Sequence, residues 1–384
     1  GKYLKVLKAH DLVSIQPFEG ATNKTAAIIL KKGEKTEYPV PYIVWSKKKG
    51  IGKIATDKLL NEVLPLLSKK HLIAKPIGSA VGSWQTQSAG LEGLGGIGGK
   101  NYYKAVLGAN PNPYGVFWLG IKQVLSDENL IVRNLPERGK LDIKNAEATI
   151  ERDLVYPAIR GADIKRWGAS PEIYVLLVND PDNPMSGYSE ERMKNEWPRI
   201  YSYLASFKDI LLQRALYKKF HEKAGNPFYS QYNVGTYTFS RYKVVWKRMT
   251  NDLVATVISQ FKTPFGYKTV IPFETTALIA TDNEDEAHYL CAIVNSTPVR
   301  EFIKSFSSAG RGFGTPSVME HVGIPKFDPQ NELHKKLSEI SKKCHQLKLE
   351  GKEKEIEKLE KENDELVKKL FGGKQPTSPA ESAR

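Results

Sequence analysis

The chain is poor in cysteine, with two among 384 residues. Cys291 and Cys344 stand far apart in helical patterns, which excludes a disulfide-stapled scaffold or a cysteine-built zinc site and suits reduced thiols in a cytoplasm. No run of about 18 apolar residues occurs, so no membrane-spanning helix is expected. The opening GKYLKVLKAHDLV lacks the apolar core and small-residue cleavage site of a signal peptide. Internal repeats are missing, which counts against two tandem recognition modules in one chain. Carboxylates are in deficit: 43 Asp and Glu face 57 Lys and Arg, a formal charge of +14. That excess points to a polyanionic partner without choosing between DNA, RNA and an acidic membrane. The start at Gly1, without methionine, leads us to expect further motifs upstream.

What is present suits a globular protein: 40% of residues are hydrophobic, and the length allows two modest cores. Within residues 1–50, three runs read as strands, at 13–18, 25–30 and 40–45. The second is almost wholly apolar and is expected to be covered on both faces. Leu59, Leu60, Val63, Leu64 and Leu67 then read as a connecting helix. Residues 78–99 are rich in Gly, Ser and Gln and read as a boundary loop. Gly93, Gly95 and Gly98 match G-x-G-x-x-G there, but no strand precedes and no helix follows. The context therefore favours a loop over a pyrophosphate cradle.

The densest chemistry lies in residues 154–167, LVYPAIRGADIKRW. Val155, Ile159 and Ile164 anchor it, and Gly161 permits a sharp turn. Arg160, Lys165, Arg166 and Trp167 then stand beside the bend, where guanidinium forks and an aromatic face suit phosphates and base edges. The plainer alternative is that Arg160 and Asp163 pair to fix the turn while Trp167 joins the core. Lys104 stands in a strand-like run, YYKAVLG. In YTFSRYKVVWKRM, Lys243, Lys247 and Arg248 interleave with Tyr242 and Trp246, as a strand touching backbone and bases would require. A half-buried strand with a basic outer face is the alternative. The loop SSAGRGFG brings Arg311, suited to a phosphate or to a helix stop.

Further along, Pro198 opens a helix with Ile200, Leu204, Phe207 and Leu211 on one stripe. From Asn331, Leu333, Leu337, Ile340, Cys344 and Leu347 form a four-three seam that resumes with Ile356, Leu359, Asn363, Leu366 and Leu370. The break at Gly351 allows a folded-back pair or one kinked helix. The tail, residues 372–384, has a disordered composition. Asn110-Pro111-Asn112-Pro113-Tyr114 and Asn226-Pro227-Phe228-Tyr229 each fall short of an N-P-P-aromatic loop, the device that grips a flipped adenine.

IRGADIKRW resembles the Arg-Gly-x-Asp-Ile-x-Arg-Trp signature in the target recognition domain of TaqI-like N6-adenine DNA methyltransferases. WPRIYSYLASFKDILLQR, YKVVWKRM, HYLCAIVNSTPV and VGIPKFDP are similar to later family segments in the same order, and DELVKKLFGG resembles the closing helix. PFEGATNKTAAIILKKG resembles the last strands of the family's catalytic core.

The resemblance implies an α/β, mixed α+β chain: core strands at 1–50, a connector at 51–100, a recognition domain at 101–330, paired coiled-coil-like helices at 331–371, and the tail. It implies sequence-specific binding of double-stranded DNA within a restriction-modification or phage-defence system. The catalytic domain would be joined upstream or act in trans, and S-adenosylmethionine would serve that parent enzyme, with no cofactor in this chain. A stand-alone type I-like specificity subunit and an RNA-binding protein are the alternatives.

Overall fold

The computed structural model describes residues 3–18, 25–55, 57–77, 82–87, 96–139, 141–307 and 312–372, and the fold is mixed α/β. Five strands form an N-terminal sheet: β1 (Leu4–Asp11), β2 (Ala26–Lys32), β3 (Val40–Lys47), β4 (Leu67–Pro76) and β5 (Trp84–Gln87). Their order is β2-β1-β3-β4-β5, antiparallel except for β1 beside β3.

Three expectations change here. Residues 13–18 form turns and bends, because Asp11 Oδ1 accepts the Val13 N–H at 2.9 Å and Ile15 and Gln16 bond back to Leu12. β2 is an edge strand exposed along its whole length, with Ile28, Ile29 and Leu30 at 54%, 49% and 47%. An apolar run shows that a strand forms, but not that anything covers it. The expected helix at 59–67 shrinks to the single turn Leu60–Val63 and the 3-10 turn Leu64–Leu66. Leu59 and Leu60 stay exposed, and Leu67 enters β4, which pairs with β3 from Lys47↔Leu67 to Val40↔Ala74. A ladder with a waiting partner outcompetes a short helix with no surface to cover. Residue 50 lies between β3 and β4, which are neighbours in this sheet.

A six-stranded central sheet follows, built from Trp118–Val124, Asn129–Asn134, Glu147–Glu151, Val155–Ile159, Ile173–Leu176 and Ile271–Pro272. Its core holds Leu130, Val132, Ile150, Val155 and Val175, all at 0% exposure. Helices from residue 190 to 212 close one side with Met193, Ile200, Leu204 and Leu211. The stripe read from the sequence is therefore buried, although the helix breaks at Ser206.

The third unit pairs Ala255–Ile258, Tyr242–Lys247, Thr276–Thr281 and Val106–Leu107, and helices cover it. Helix Glu284–Val294 starts where the Asn283 side chain accepts the Glu286 N–H, satisfying an otherwise orphaned donor. Helix Thr297–Lys304 starts likewise on Ser296. At Gly351, φ is +72°, and the chain reverses between helices Glu332–Leu349 and Glu353–Gly372. The seam is therefore a folded-back pair. Leu337, Cys344, Ile356 and Val367 pack into the same core as the Glu284–Val294 helix, and Asn363 Nδ2 donates to Ala292 O at 2.8 Å.

Candidate nucleic-acid interface

Strand Val155–Ile159 ends at the turn that carried the densest sequence signal. Asp163 there accepts from the Arg160 backbone N–H at 2.7 Å and from its guanidinium at 3.0 and 2.7 Å. Glu172 takes a further bond from Arg160 at 2.8 Å. The Asp163 carboxylate, first of all, holds the Arg160 pKa above its usual value. Gly161 donates to Thr275 Oγ1 at 2.9 Å, and a Cβ on it would lie 2.8 Å from the Thr275 carbonyl oxygen. Only glycine lets these backbones approach so closely.

The next residues tie the turn to the C-terminal hairpin. Arg166 donates to Asn295 O at 3.0 Å and Leu253 O at 3.2 Å, beside Glu360 and Asp252. Trp167 has a φ of +64° and 2% exposure, and its indole N–H reaches Glu360 at 2.7 Å. Arg160, Arg166 and Trp167 thus take hydrogen-bond partners within the chain, with Trp167 buried and the two arginines partly exposed. Of the four side chains read as DNA contacts on the turn, Lys165 is the exposed one.

Strand Tyr242–Lys247 corrects an expectation. It is covered on both faces, so Lys243, Val244, Val245 and Trp246 are all at 0% exposure. Lys243 Nζ donates to Ser240 O at 2.7 Å, and burial pulls its pKa down to about 7, against the smaller pull of Asp282. The Trp246 indole N–H donates to Gly314 O at 2.9 Å. Neither side chain has surface to offer a duplex. Lys247 and Arg248, at the strand end, remain half-buried. Arg311 lies outside the described residues, and Phe313 and Gly314 after it pack against this strand end.

Four segments distant in sequence meet at the turn between Ile271–Pro272 and Thr276–Thr281. Tyr114 donates its hydroxyl to Glu274 Oε1. Arg248 donates its backbone N–H to Thr275 O at 3.1 Å and its side chain to Glu274 O at 2.9 Å. The Arg160–Gly161 bend reaches Thr275, and Gly314 N–H donates to Arg248 O at 3.0 Å. Tyr114, Trp118 and Phe273 stack at centroid distances of 4.3 and 5.2 Å. Burial raises the Glu274 carboxyl to about 7, and its Oε2 has no protein partner. Sequence reasoning passed over Glu274 and Thr275. Their signal was a lone carboxylate in the otherwise uncharged run IPFETTALIA, where a charge is costly unless it is used.

The two near-match loops are committed locally. Asn112 offers its carbonyl to the buried Arg214, and Tyr114 is bound to Glu274. Asn226 Nδ2 meets Met185 O and His221 Nδ1, while Tyr229 is fully buried with its hydroxyl on Tyr188 O at 2.7 Å. Lys104 is exposed on a separate groove with Lys100 and Tyr102. Among the described residues, no cluster of three or more His, Cys, Asp and Glu is placed to hold a metal, and no helix is long and apolar enough to cross a membrane.

No known protein family matches this chain, and no curated protein does. Among solved structures it is similar in fold to the type IIL restriction-modification enzyme MmeI, determined in complex with DNA, with a TM-score of 0.53 and 13% identity. The likeness covers 98% of this chain and 44% of that one, so the chain spans less than half the length of that enzyme.

Proposed function

We propose that the chain is the target-recognition part of an S-adenosylmethionine-dependent adenine-N6 DNA methyltransferase in a restriction-modification or phage-defence system. The observation that carries this reading is the fold likeness, across nearly the whole chain, to a restriction-modification enzyme bound to DNA. The ordered sequence segments and the charge of +14 support it independently. By this reading the double-stranded DNA partner is held here, and methyl transfer belongs to a catalytic domain in cis or in trans. The exposed apolar edge β2 fits that division, because a strand paired on one side only among the described residues, with Ile28 and Leu30 in water, is a place where a neighbouring core could continue the sheet. The C-terminal seam fits it less well, since its apolar stripe is already used within the chain.

Titration of the chain with duplex DNA and duplex RNA across a salt series tests the proposal. DNA affinity is expected to exceed RNA affinity and to fall steeply with salt as phosphate contacts release counterions. Equal or better binding of RNA would favour the RNA-binding alternative and defeat this one. Calorimetry with S-adenosylmethionine is expected to show no heat of binding to the isolated chain.

A further inference from the structure

The arginines on the central turn take the protein's own carboxylates and carbonyls as partners, which leaves exposed lysines without such partners as the better phosphate contacts. An open groove of about 520 Å³ is lined by Ile77, Lys100, Asn101, Tyr102, Lys104 and His321, among others. Both of its lips are fixed by backbone bonds. Gly99 N–H donates to His321 O at 3.0 Å, Gly323 N–H to Ile97 O at 2.8 Å, and Tyr102 N–H to Ile324 O at 3.1 Å. Asn101 Nδ2 adds a bond to Met319 O at 3.0 Å. The two strands of chain cross glycine against glycine: a Cβ on Gly323 would sit 3.2 Å from the Gly99 Cα.

Three lysines stand out from this fixed frame. Lys100, Lys104 and Lys326 are exposed, and among the described residues none has a carboxylate at ion-pair distance. Tyr102 stands beside them, 59% exposed. Lys326 Nζ lies 5.5 Å from its ring centroid, and Tyr103 meets it edge-on at 5.2 Å. Among the described residues Glu320 is the one carboxylate lining the groove, so positive charge prevails there. A wide cationic channel with a held tyrosine suits a phosphodiester backbone: ammonium groups meet phosphate oxygens and the phenol donates one further bond.

We propose that this groove, through Lys100, Tyr102, Lys104 and Lys326, binds the DNA backbone without regard to sequence and so sets the duplex on the recognition unit. The proposal rests on the DNA-binding reading above and adds a place to it. Backbone contacts position a duplex, and base contacts elsewhere discriminate.

The test compares two variants of equal charge. K100A/K104A/K326A empties the groove; K218A/K219A/K223A removes three exposed lysines from the helical side. Anisotropy titrations of the full chain with several unrelated duplexes, from low to moderate salt, give the slope of log affinity against log salt. The groove variant is expected to lower affinity alike for every duplex and to reduce the slope by about 2–3, at roughly 0.9 per phosphate contact. The control is expected to change the slope by less than about 1. Tyr102→Ala is expected to weaken binding several-fold with the slope unchanged, because tyrosine carries no charge. An unchanged slope in a folded groove variant overturns the proposal while the DNA-binding reading stands, as does an equal fall in both triple variants. A wild-type chain that binds no duplex overturns both.

Discussion

At the scale of single residues, charge in the sequence separates into side chains that hold the protein together and side chains left for a ligand. Arg166 belongs with the first, since its partly buried guanidinium donates to two backbone carbonyls. Charged hydrogen bonds of this kind contribute about 1.5–3 kcal/mol each. Arg166→Ala is therefore expected to lower the melting temperature by several degrees and to leave the base preference of the surviving folded protein unchanged. Lys165→Ala, one residue away, is expected to leave melting unaltered and to weaken all duplexes alike. A binding series over a randomised duplex library, run beside thermal melts, separates the two, and loss of preference at one base pair in Arg166→Ala would return that side chain to the reading surface. Lys243 is the second case. Its folded pKa of about 7 lies below the ordinary 10.5, so the unfolded chain binds more protons between those values and stability rises with pH across that window. Lys243→Met keeps the stem and removes the charge. It is expected to raise the melting temperature at pH 7 and to flatten its climb towards pH 10, as a buried lysine penalised by desolvation requires.

Among the elements, those whose pattern met a waiting surface were legible in advance, and those whose pattern met none were not. The stripe of Ile200, Leu204, Phe207 and Leu211 announced a buried helical face, and that face is buried against the central sheet. The seam from Leu337 to Leu370 announced paired helices, but not how the chain passes Gly351, because a glycine permits both a kink and a reversal. Leu59 to Leu67 has the same periodicity and makes only a turn, since β3 offers a ladder instead. The site was less legible than the fold for a related reason. Basic residues alternating with aromatics look alike on a strand open to solvent and on one covered twice, and Tyr242–Lys247 is of the second kind. Glu274 gave almost no signal in sequence, because its importance comes from two distant segments, at Tyr114 and Arg248, that meet it only in the fold. For the hairpin, the φ of +72° at Gly351 and the open space around it set a backbone cost without a steric one. Gly351→Ala is expected to cost about 1 kcal/mol, with Gly351→Asn recovering part, whereas Leu337→Ala in the shared core is expected to cost about 2–5 kcal/mol. Equal losses in chemical denaturation would mean that the reversal, and not the packing, limits the hairpin.

For the whole molecule, the buried titratable groups determine how stability follows pH, and they pull in opposite directions. His288 and His345 lie between the Glu284–Val294 helix, the Glu332–Leu349 helix and strand Ala255–Ile258, bonded to Ser341, Thr256 and the Val257 N–H. Burial lowers them to about 3 and about 4, with the His345 charge adding to the effect on His288. Val257 N–H donates to His345 Nε2, so that nitrogen must carry a lone pair, and a proton there breaks the bond as well as charging the core. A histidine with a depressed folded pKa contributes stability above its unfolded value near 6.5, which is lost as pH falls through the folded one. Glu274 runs the other way. Its folded value of about 7 exceeds the ordinary 4.5, so its contribution is present in acid and is lost as pH rises from about 4.5 to 7. Two histidines outweigh one carboxyl, and the molecule is expected to lose stability steadily from pH 6.5 to pH 4. His345→Gln presents an amide oxygen as acceptor and cannot take up a proton. It is expected to cost some stability at pH 7.5 through imperfect fit, and to make the acid decline visibly shallower. Glu274→Gln is expected to gain stability at pH 7.5 and to steepen the decline, since the opposing carboxyl is gone. Melts of the wild-type chain and both variants at half-unit steps from pH 4 to pH 8 read these slopes directly, and parallel curves for all three would place the acid sensitivity in the surface carboxylates instead.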